Sequence, residues 1–538
     1  MSTTVLAPSQ PNLGPDQVRF GQLLRAEWVK FRTVRGWSIT MIVAGLITVF
    51  LGTFAAGNVS IGCQGGPNGP VLTGSACTPH FPIGPDGEAV SDSYYFARQP
   101  LTGNGSITAR VTSLTGLLGS GKGLAAGPNP LAGMTKGLVP WAKAGLILTS
   151  STRPGSEYSA MMVTGAHGVR MQDDYVHDTA GLTGKVTGTS PRWLRLTRSG
   201  NTVTGYDSAD GSHWTMVGIA RLTGLPQTVQ AGMFATSPIY TVITPGFGST
   251  SASGGPSQAT AVFDHINLSG NWSAQKWAGT NVGSGRESPG TGFGYLRTSG
   301  GAVTVSGSGD IAPVTTGRGN PAPVSTFEQS LAGLFAGLIA IVVVAAMFFT
   351  VEYRRGLIRT TLAASPRRGR VLAAKAVVVG VVAFVVGLAA SILAISLGLP
   401  RQRNQGTYVL PVSTLTEVRV IVGTAAMVAL AAVLAVAIGA ILRRSAAAVT
   451  TVIVVIVLPF LLSVTVLTGS AGVWLLRVTP AAGFAIQQSI PNYPQVTGGF
   501  SPADGSYPLP PWGGFAVLCA WTAMALTAAY VLLRRRDA

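Results

Sequence analysis

The sequence predicts an α-helical membrane protein with six transmembrane helices and a large all-β domain inserted between the first and second helices. Three observations predict this class. Of the 538 residues, 47% are hydrophobic and only 10% are charged, whereas a soluble globular chain carries about 25% charged residues. The apolar residues form long runs near the N-terminus and after Gln329. The stretch from Asn58 to Glu328 is instead rich in Gly, Ser and Thr.

The chain is expected to divide into three parts. Residues 1–57 hold a cytoplasmic interfacial helix and the first transmembrane helix. Residues 58–328 form an extracytoplasmic β-sandwich domain, with a core at about 94–268 and Gly/Ser-rich flanks. Residues 329–538 hold transmembrane helices two to six.

The apolar runs predict the membrane helices. A bilayer core about 30 Å thick requires about 20 apolar residues in a helix. Six runs are long enough, and they cover residues 37–56, 331–351, 371–397, 418–442, 446–468 and 514–533. Pro459 predicts a kink in the fifth helix. Lys375 lies one turn inside the third run, where its side chain is expected to reach back to the cytoplasmic surface.

Charge positions predict the orientation and exclude some function classes. Basic residues precede the first run and follow the second, fourth and sixth, which places both termini of a multi-pass cell-membrane protein in the cytoplasm. The formal net charge of +18 lies largely in these flanks, so no nucleic-acid partner is expected. The middles of the runs carry no charged residue. This disfavours a proton-coupled carrier, which needs an ionisable group there.

The segment before the first run predicts an amphipathic helix. Its apolar face consists of Phe20, Leu23, Leu24, Trp28 and Phe31. We expect it to lie along the cytoplasmic leaflet. A soluble helix packed on another element is the alternative.

The loop after the second run reads VEYRRGLIRTTLAASPRRGRVLAAKA. Glu352 ends the run, Gly356 allows a turn, residues 357–364 can form a short helix, and Pro366 ends it. A loop that only fixes the orientation of the helices in the membrane needs a few arginines but no such pattern. The loop is therefore expected to be a short rigid element that docks on a partner.

Three segments together resemble permeases of the type-2 ATP-binding-cassette (ABC) exporters. They are LLRAEWVKFRTVRGW before the first run, EYRRGLIRTTLAASPRRGRVLAAKA after the second, and LLRVTPAAGFAIQQSIP after the fifth. The resemblance implies that the first segment is a connecting helix, the second contains a coupling helix for an ATPase, and the third contributes to the outer face of a transport pathway.

The resemblance also implies the partners of this chain. A separate ATPase would hold ATP and magnesium, and a second permease half, identical or different, would complete the pathway through the lipid bilayer for an unidentified substrate. The residues implied in ATPase coupling are Glu352, Tyr353, Arg354, Arg355, Gly356, Arg359, Pro366, Arg367 and Arg368.

No enzyme activity is expected of this chain itself. The stretch GLLGSGKG nearly matches a phosphate-binding loop, but Gly123 replaces the hydroxyl residue that binds magnesium. The acids of the insertion show no paired arrangement of the kind that glycoside hydrolysis requires.

The insertion predicts many short strands. Trp193 to Thr197 alternate in polarity, and turns are indicated at Ser199-Gly200-Asn201 and at Asp210-Gly211. The segments WAKAGLILTSS, RWLRLTRSGNTVTGYDSADGSHWTMVG and FDHINL resemble laminin-G-like or concanavalin-A-like jelly rolls. Residues 270–325 are candidates for further strands.

Several features of the insertion have two interpretations. Trp141, Trp193 and Trp214 are either glycan contacts or core residues. The acids Asp173, Asp174 and Asp178 are either calcium ligands or a solvated loop, and no metal is assigned. Cys63 and Cys77 form a candidate disulfide in an oxidising compartment. The alternative function is accordingly a membrane-anchored glycan-binding or sensor protein.

Overall fold

The structure, a computed structural model, describes residues 20–57, 62–64, 71–119, 134–246, 249–273, 276–283, 294–316, 323–354, 356, 367–467, 470–496, 502 and 505–535.

Helices lie on both sides of a β-rich region. The α-helices are α1 (Phe20–Thr33), α2 (Arg35–Gly57), α3 (Leu334–Arg354), α4 (Arg368–Asn404), α5 (Thr414–Leu442), α6 (Ser445–Val452), α7 (Leu458–Thr465), α8 (Ser470–Val478) and α9 (Pro511–Arg535). Short 3-10 helices cover Gly74–Cys77, Phe327–Leu331 and Pro480–Gln487.

The described residues contain six helical stretches that are long and apolar enough to cross a membrane, by length and composition. They are α2, α3, α4, α5, the stretch Ser445–Val464, and α9. The fifth stretch is irregular, because a π-helical turn at Ile453–Val457 separates α6 from α7. Pro459 is the second residue of α7 and lies two positions after the end of this turn. The predicted kink at Pro459 stays a prediction. The described residues form more than six helices. Helix α1 is the helix predicted before the first run, whereas α8 was not predicted.

The strands are β1 (Gly62–Gln64), β2 (Val71–Thr73), β3 (Val90–Asp92), β4 (Tyr94–Leu118), β5 (Thr135–Lys136), β6 (Lys143–Thr149), β7 (Tyr158–Thr164), β8 (Val169–Asp173), β9 (His177–Ala180), β10 (Arg192–Ser199), β11 (Thr202–Ser208), β12 (Thr215–Arg221), β13 (Thr228–Thr236), β14 (Tyr240–Gly246), β15 (Ser249–Gly255), β16 (Ser257–Trp272), β17 (Ala278–Val282), β18 (Tyr295–Ser299), β19 (Ala302–Gly307), β20 (Ile311–Pro313), β21 (Val324–Ser325) and β22 (Tyr408–Val409).

One long strand organises the β-rich domain. Strand β4 pairs with β10 and β13 in the main sheet, whose order is β12-β11-β10-β4-β13-β6-β7-β8-β9. It also pairs with β5, β16 and β17. All these pairings are antiparallel. The predicted all-β domain is therefore confirmed, and residues 270–325 do supply further strands.

The sheet curls so that its two halves pack face to face. In β10, Leu194 and Leu196 point into the core while Trp193 and Arg195 are half-buried on the other face. On β11, Gly205 lies against the sulfur atoms of Met161 on β7 and Met171 on β8. The predicted turns at 199–201 and 210–211 are confirmed between β10 and β11 and between β11 and β12.

Small residues let the apolar helices pack closely. Ala431 and Ala435 on α5 are fully buried in the main helical core. A Cβ atom at Gly387 of α4 would lie 3.2 Å from the Cα atom of Ala425 on α5. Such close approach increases van der Waals contact between helices, which is the main source of packing energy in lipid.

The β-rich domain contacts two loops at one end of the helices. Strand β21 pairs with β22, which lies between α4 and α5. The ring of Phe81 contacts the ring of Tyr408 with 5.1 Å between centroids. In the loop before α9, the Nε2 atom of Gln495 donates to the carbonyl oxygens of Tyr175 and Val176, both at 3.1 Å. The domain is thus held against the α4–α5 loop and the loop before α9.

The stability of the turn between β8 and β9, which Gln495 contacts, should depend on pH. Asp174 and Tyr175 both have positive φ angles, 44° and 66°. Burial raises the pKa of Asp174 from 3.8 to about 7, with contributions from nearby acids. Between pH 3.8 and about pH 7 the folded state binds more protons than the unfolded state. The stability of this turn therefore falls as the pH rises.

We expect Asp174→Asn to slow hydrogen exchange in β7, β8 and β9 by about tenfold at pH 8 and to have little effect at pH 4.5. Asparagine stays neutral, tolerates the left-handed backbone and keeps an acceptor for the Tyr158 amide, which lies 3.1 Å from the Asp174 Oδ1 atom. At each pH, the exchange rates of the variant are compared with those of the wild-type protein, both full-length. The comparison removes the intrinsic pH dependence of hydrogen exchange. An equal effect at both pH values would contradict the prediction.

Candidate functional site

The N-terminal helix α1 packs on the membrane helices through a mixed face. Its buried residues are Leu23, Glu27 and Phe31, which recur every four positions along one side. Phe20 and Trp28 are 39% and 45% exposed. The predicted apolar face is therefore split, since only part of it packs on the protein. Phe20 and Trp28 form the part that does not pack on the protein.

A cluster of four charges joins α1 to α3 and α4. The Nζ atom of Lys375 lies 2.7 Å from Glu27 Oε2 and 2.7 Å from Glu352 Oε1. The Nζ atom of Lys30 lies 2.9 Å from Glu27 Oε1 and 3.3 Å from Glu352 Oε1. The cluster is neutral as a whole, because two carboxylates face two ammonium groups. It joins the interfacial helix, the end of α3 and the beginning of α4.

The cluster is shielded from solvent on its inner side. Lys375 is fully buried, and Glu27 is 1% exposed. The ammonium group of Lys375 lies 4.6 Å from the centroid of the Phe348 ring. Phe348 in turn contacts Phe31 and Trp37, with centroid distances of 5.6 Å and 5.1 Å. Charges in such a setting interact strongly, and each depends on its partners for compensation.

Lys30 is the solvent-facing member of the cluster, since its side chain is 40% exposed. Burial lowers the pKa of Lys30, but the hydrogen bond to Glu27 and the charges of Glu27 and Glu352 outweigh burial and raise it. One atom of the cluster, Glu352 Oε2, is buried without a hydrogen-bond partner among the described residues.

The position of Lys375 corrects one expectation. The side chain was expected to reach back to the cytoplasmic surface, but it is fully buried and paired with two carboxylates. Glu27 on α1 is the reason, because it brings a second acid to Lys375 from outside the apolar runs. The sequence signal for Glu27 is its place between Leu23 and Phe31 on one helical face, an unfavourable position for an unpaired acid.

The predicted coupling residues are partly described. Tyr353 and Arg354 end α3, and Gly356 has a φ angle of 70°, as expected for a turn. Arg443 lies over the ring of Tyr353 at 4.9 Å. Arg368 Nη1 donates to the Leu533 carbonyl at 2.7 Å. The remaining predicted residues Arg355, Arg359 and Pro366 lie outside the described residues, whereas Arg367 directly precedes α4.

A second buried acid lies at the opposite end of the helices. Glu328 precedes α3 and is 7% exposed. Its Oε1 atom accepts a hydrogen bond from the Ser489 amide at 3.3 Å. Burial raises the pKa of Glu328 to about 7. Sequence analysis did not identify this residue, because it lies just outside an apolar run.

The three tryptophans of the β-rich domain have different surroundings. Trp141 is 6% exposed and stacks on His167 with 4.0 Å between centroids, as a core residue would. Trp193 and Trp214 are half-buried. Arg110 lies 5.6 Å from the Trp193 ring centroid, and Arg195 lies 3.9 Å from that of Trp214. Only the latter two tryptophans share an accessible aromatic and cationic surface.

The candidate calcium ligands do not converge. Asp178 pairs with Arg170, Asp173 with His177, and Asp174 accepts from a backbone amide. In the part of the chain that is described, no group of three His, Cys, Asp or Glu residues could hold a metal. Cys77 is disulfide-bonded, and Cys519 is a free thiol. The side chain of Cys63 lies outside the described residues.

We expect Lys375→Met to destabilise the protein by about 3–5 kcal/mol, because it leaves two buried carboxylates short of a partner. Lys30→Met should cost less than about 1 kcal/mol, since Lys30 is half-exposed. Unfolding of the full-length protein in detergent micelles measures both.

A double-mutant cycle with Glu27→Gln provides the control. The double variant Glu27→Gln/Lys375→Met should lose less free energy of unfolding than the sum of the losses in the two single variants. If the two losses were additive, or if Lys375→Met and Lys30→Met caused equal losses, the four charges would not be energetically coupled.

Comparisons with known proteins do not identify a family. No model of a protein family and no curated protein matches the chain. Solved structures that match include a functionally unknown protein from Saccharomyces cerevisiae, at 16% identity and a TM-score of 0.22, covering 40% of this chain and 89% of the other. Two structures of scytalido-glutamic peptidase with transition-state analogues match at 7% and 8% identity, with TM-scores of 0.22 and 0.21, each covering 42% of this chain and 100% of the other. Similarities at these TM-scores assign neither a fold nor an activity to this chain.

Proposed function

We propose that this chain is the membrane-spanning permease subunit of an ABC exporter. A separate cytoplasmic ATPase would drive it, and a second permease half, identical or different, would complete the pathway. The observation that carries the proposal is the charge cluster of Glu27, Lys30, Glu352 and Lys375.

The position of the cluster supports this function. Glu352 lies two residues before the end of α3, and Lys375 lies in the second turn of α4. The segment between these helices is the predicted coupling element. A force applied to that segment would therefore reach α3, α4 and, through Glu27, α1 together. Ion-paired helices of this kind transmit displacement as a unit because the desolvated charges resist separation.

The proposed orientation places the cluster in the cytoplasmic half of the membrane. The arginine-rich ends of α3, α4, α5 and α9 would face the cytoplasm, as the positive-inside rule requires. The β-rich domain would then lie outside the cell, where Cys77 can be oxidised. Its relationship to jelly rolls of the concanavalin-A type is part of the proposal.

We expect the chain to co-purify with a cytoplasmic ABC ATPase from the same cells. Arg359→Glu reverses a charge in the predicted coupling element and should lower the amount of bound ATPase by about tenfold. Arg401→Glu is the matched control, because Arg401 is exposed at the far end of α4. Absence of the ATPase from the wild-type preparation, or equal behaviour of the two variants, would refute the proposal.

A separate variant tests transmission. Glu352→Gln keeps the shape of the side chain but removes its charge from Lys375 and Lys30. We expect the ATPase to remain bound while stimulation of its ATP turnover by the permease falls about tenfold. Measured in nanodiscs, unchanged stimulation would show that the cluster has only a structural role.

The second candidate function is a membrane-anchored glycan-binding or sensor protein. It is favoured by the surface on which Arg195 stacks on Trp214 and Arg110 lies beside Trp193. Aromatic faces of this kind can stack on sugar rings. In a glycan-array measurement with the full-length protein, Trp214→Ala should abolish binding if this function is correct. Binding that survives in that variant would exclude this surface.

A further inference from the structure

A basic cavity lies where α1, α4 and α9 meet. Its volume is about 630 Å³. The lining residues are Phe20, Arg367, Arg368, Gly369, Arg370, Ala373, Tyr530 and Arg534. Half of these residues are arginines, and none is acidic. The cavity therefore concentrates positive charge beside the ends of two apolar helices.

Close packing between α4 and α9 brings the arginines together. A Cβ atom at Gly369 would lie 2.4 Å from the ring of Tyr530, so only glycine permits this approach. The Arg534 guanidinium lies 5.2 Å from the centroid of the same ring. Arg534 on α9 thus shares one cavity with Arg370 in the first turn of α4.

Two of the four arginines that line this cavity have no carboxylate partner among the described residues. Neither Arg370 nor Arg534 forms an ion pair within the described part of the chain, and both are exposed. Guanidinium groups at this density repel one another unless an anion binds between them. The planar guanidinium group forms paired hydrogen bonds best with the oxygens of phosphate and carboxylate groups.

An apolar groove continues from the basic cavity along α9. It has a volume of about 660 Å³ and is lined by Ala523, Met524, Thr527, Ala528, Val531 and Leu532. Thr527 lies three residues before Tyr530, and Val531 lies three residues before Arg534. These pairs are neighbours on the helix surface. An anionic head and an apolar tail could therefore occupy adjoining sites on one helix.

We propose that this cavity binds the phosphate headgroup of an anionic phospholipid, whose acyl chain lies in the groove along α9. Basic pockets between membrane helices on the cytoplasmic side are the usual setting for such lipids. The proposal requires only that α4 and α9 cross the membrane, and it does not depend on ATP-driven export.

Native mass spectrometry of the full-length protein in neutral detergent tests the proposal, with phosphatidylglycerol and phosphatidylcholine as probes. Wild-type protein should retain phosphatidylglycerol in preference to phosphatidylcholine. Arg370→Gln combined with Arg534→Gln should weaken this retention roughly thirtyfold, because each arginine near an anionic headgroup contributes about a fivefold factor.

The matched control is Arg401→Gln combined with Arg403→Gln, which removes two exposed arginines from the opposite end of α4. It should leave phosphatidylglycerol retention unchanged. An equal loss in both double variants would indicate diffuse electrostatics and would overturn the proposal. So would equal retention of the two lipids by the wild-type protein.

A third variant separates a lipid from a soluble phosphate ligand. Val531→Trp should fill the apolar groove and lower phosphatidylglycerol retention while leaving the arginines in place. Glycerol phosphate, added as a soluble competitor at millimolar concentration, should not displace the lipid from wild-type protein. Full displacement by glycerol phosphate would identify a site for soluble phosphate and refute the lipid. Thermal unfolding of every variant confirms that it is folded.

Discussion

The pairing of Lys375 with Glu27 and Glu352 is the constraint on which the membrane part depends. A fully buried ammonium group in an apolar helix is costly unless carboxylates face it, and here two do, each at 2.7 Å. The pairing fixes the rotation of α4 about its axis, because Lys375 must face both acids. The pairing also holds α1 against α4, because the buried carboxylate of Glu27 is compensated by Lys375 on α4. The aromatic contacts of Phe31, Trp37 and Phe348 then close the site from one side.

The two ends of the helices differ in kind. At one end lie the charge cluster and the basic cavity with its arginines. At the other end lie Glu328, the α4–α5 loop and the loop before α9, on which the β-rich domain rests. Contacts at this second end are hydrogen bonds and small apolar clusters such as Ala89, Val314 and Leu410. One end is suited to electrostatic partners, whereas the other is occupied by the chain's own domain.

Much of this organisation follows from local sequence. Hydropathy alone predicts the apolar helices, and the irregular turn in the fifth lies beside Pro459. Alternation in β10 and the glycines at 200 and 211 located two hairpins. These features depend on residues that are close in the chain, so a pattern can report them.

The functional cluster could not be predicted in the same way. Glu27 and Lys375 are hydrogen-bonded although 348 positions separate them, and no local pattern encodes their meeting. Taken singly, Lys375 suggests a side chain reaching the surface, and Glu27 suggests a solvated acid. The basic cavity was missed for the same reason, since Arg370 and Arg534 belong to different helices. Local sequence indicates which helices are long and apolar, but it does not indicate which helices associate.

The length of β4 has a consequence for biosynthesis. Its partners include β16 and β17, which end at Trp272 and Val282, so the domain lacks much of its pairing until those strands have been made. In the proposed orientation, a chain emerging on the far side of the membrane would therefore remain unfolded through most of its translocation. Assembly by such distant pairings is slow, and the exposed strand edges of the waiting segment invite mispairing. In that orientation, completion of the β4 pairings would limit the rate at which the domain folds.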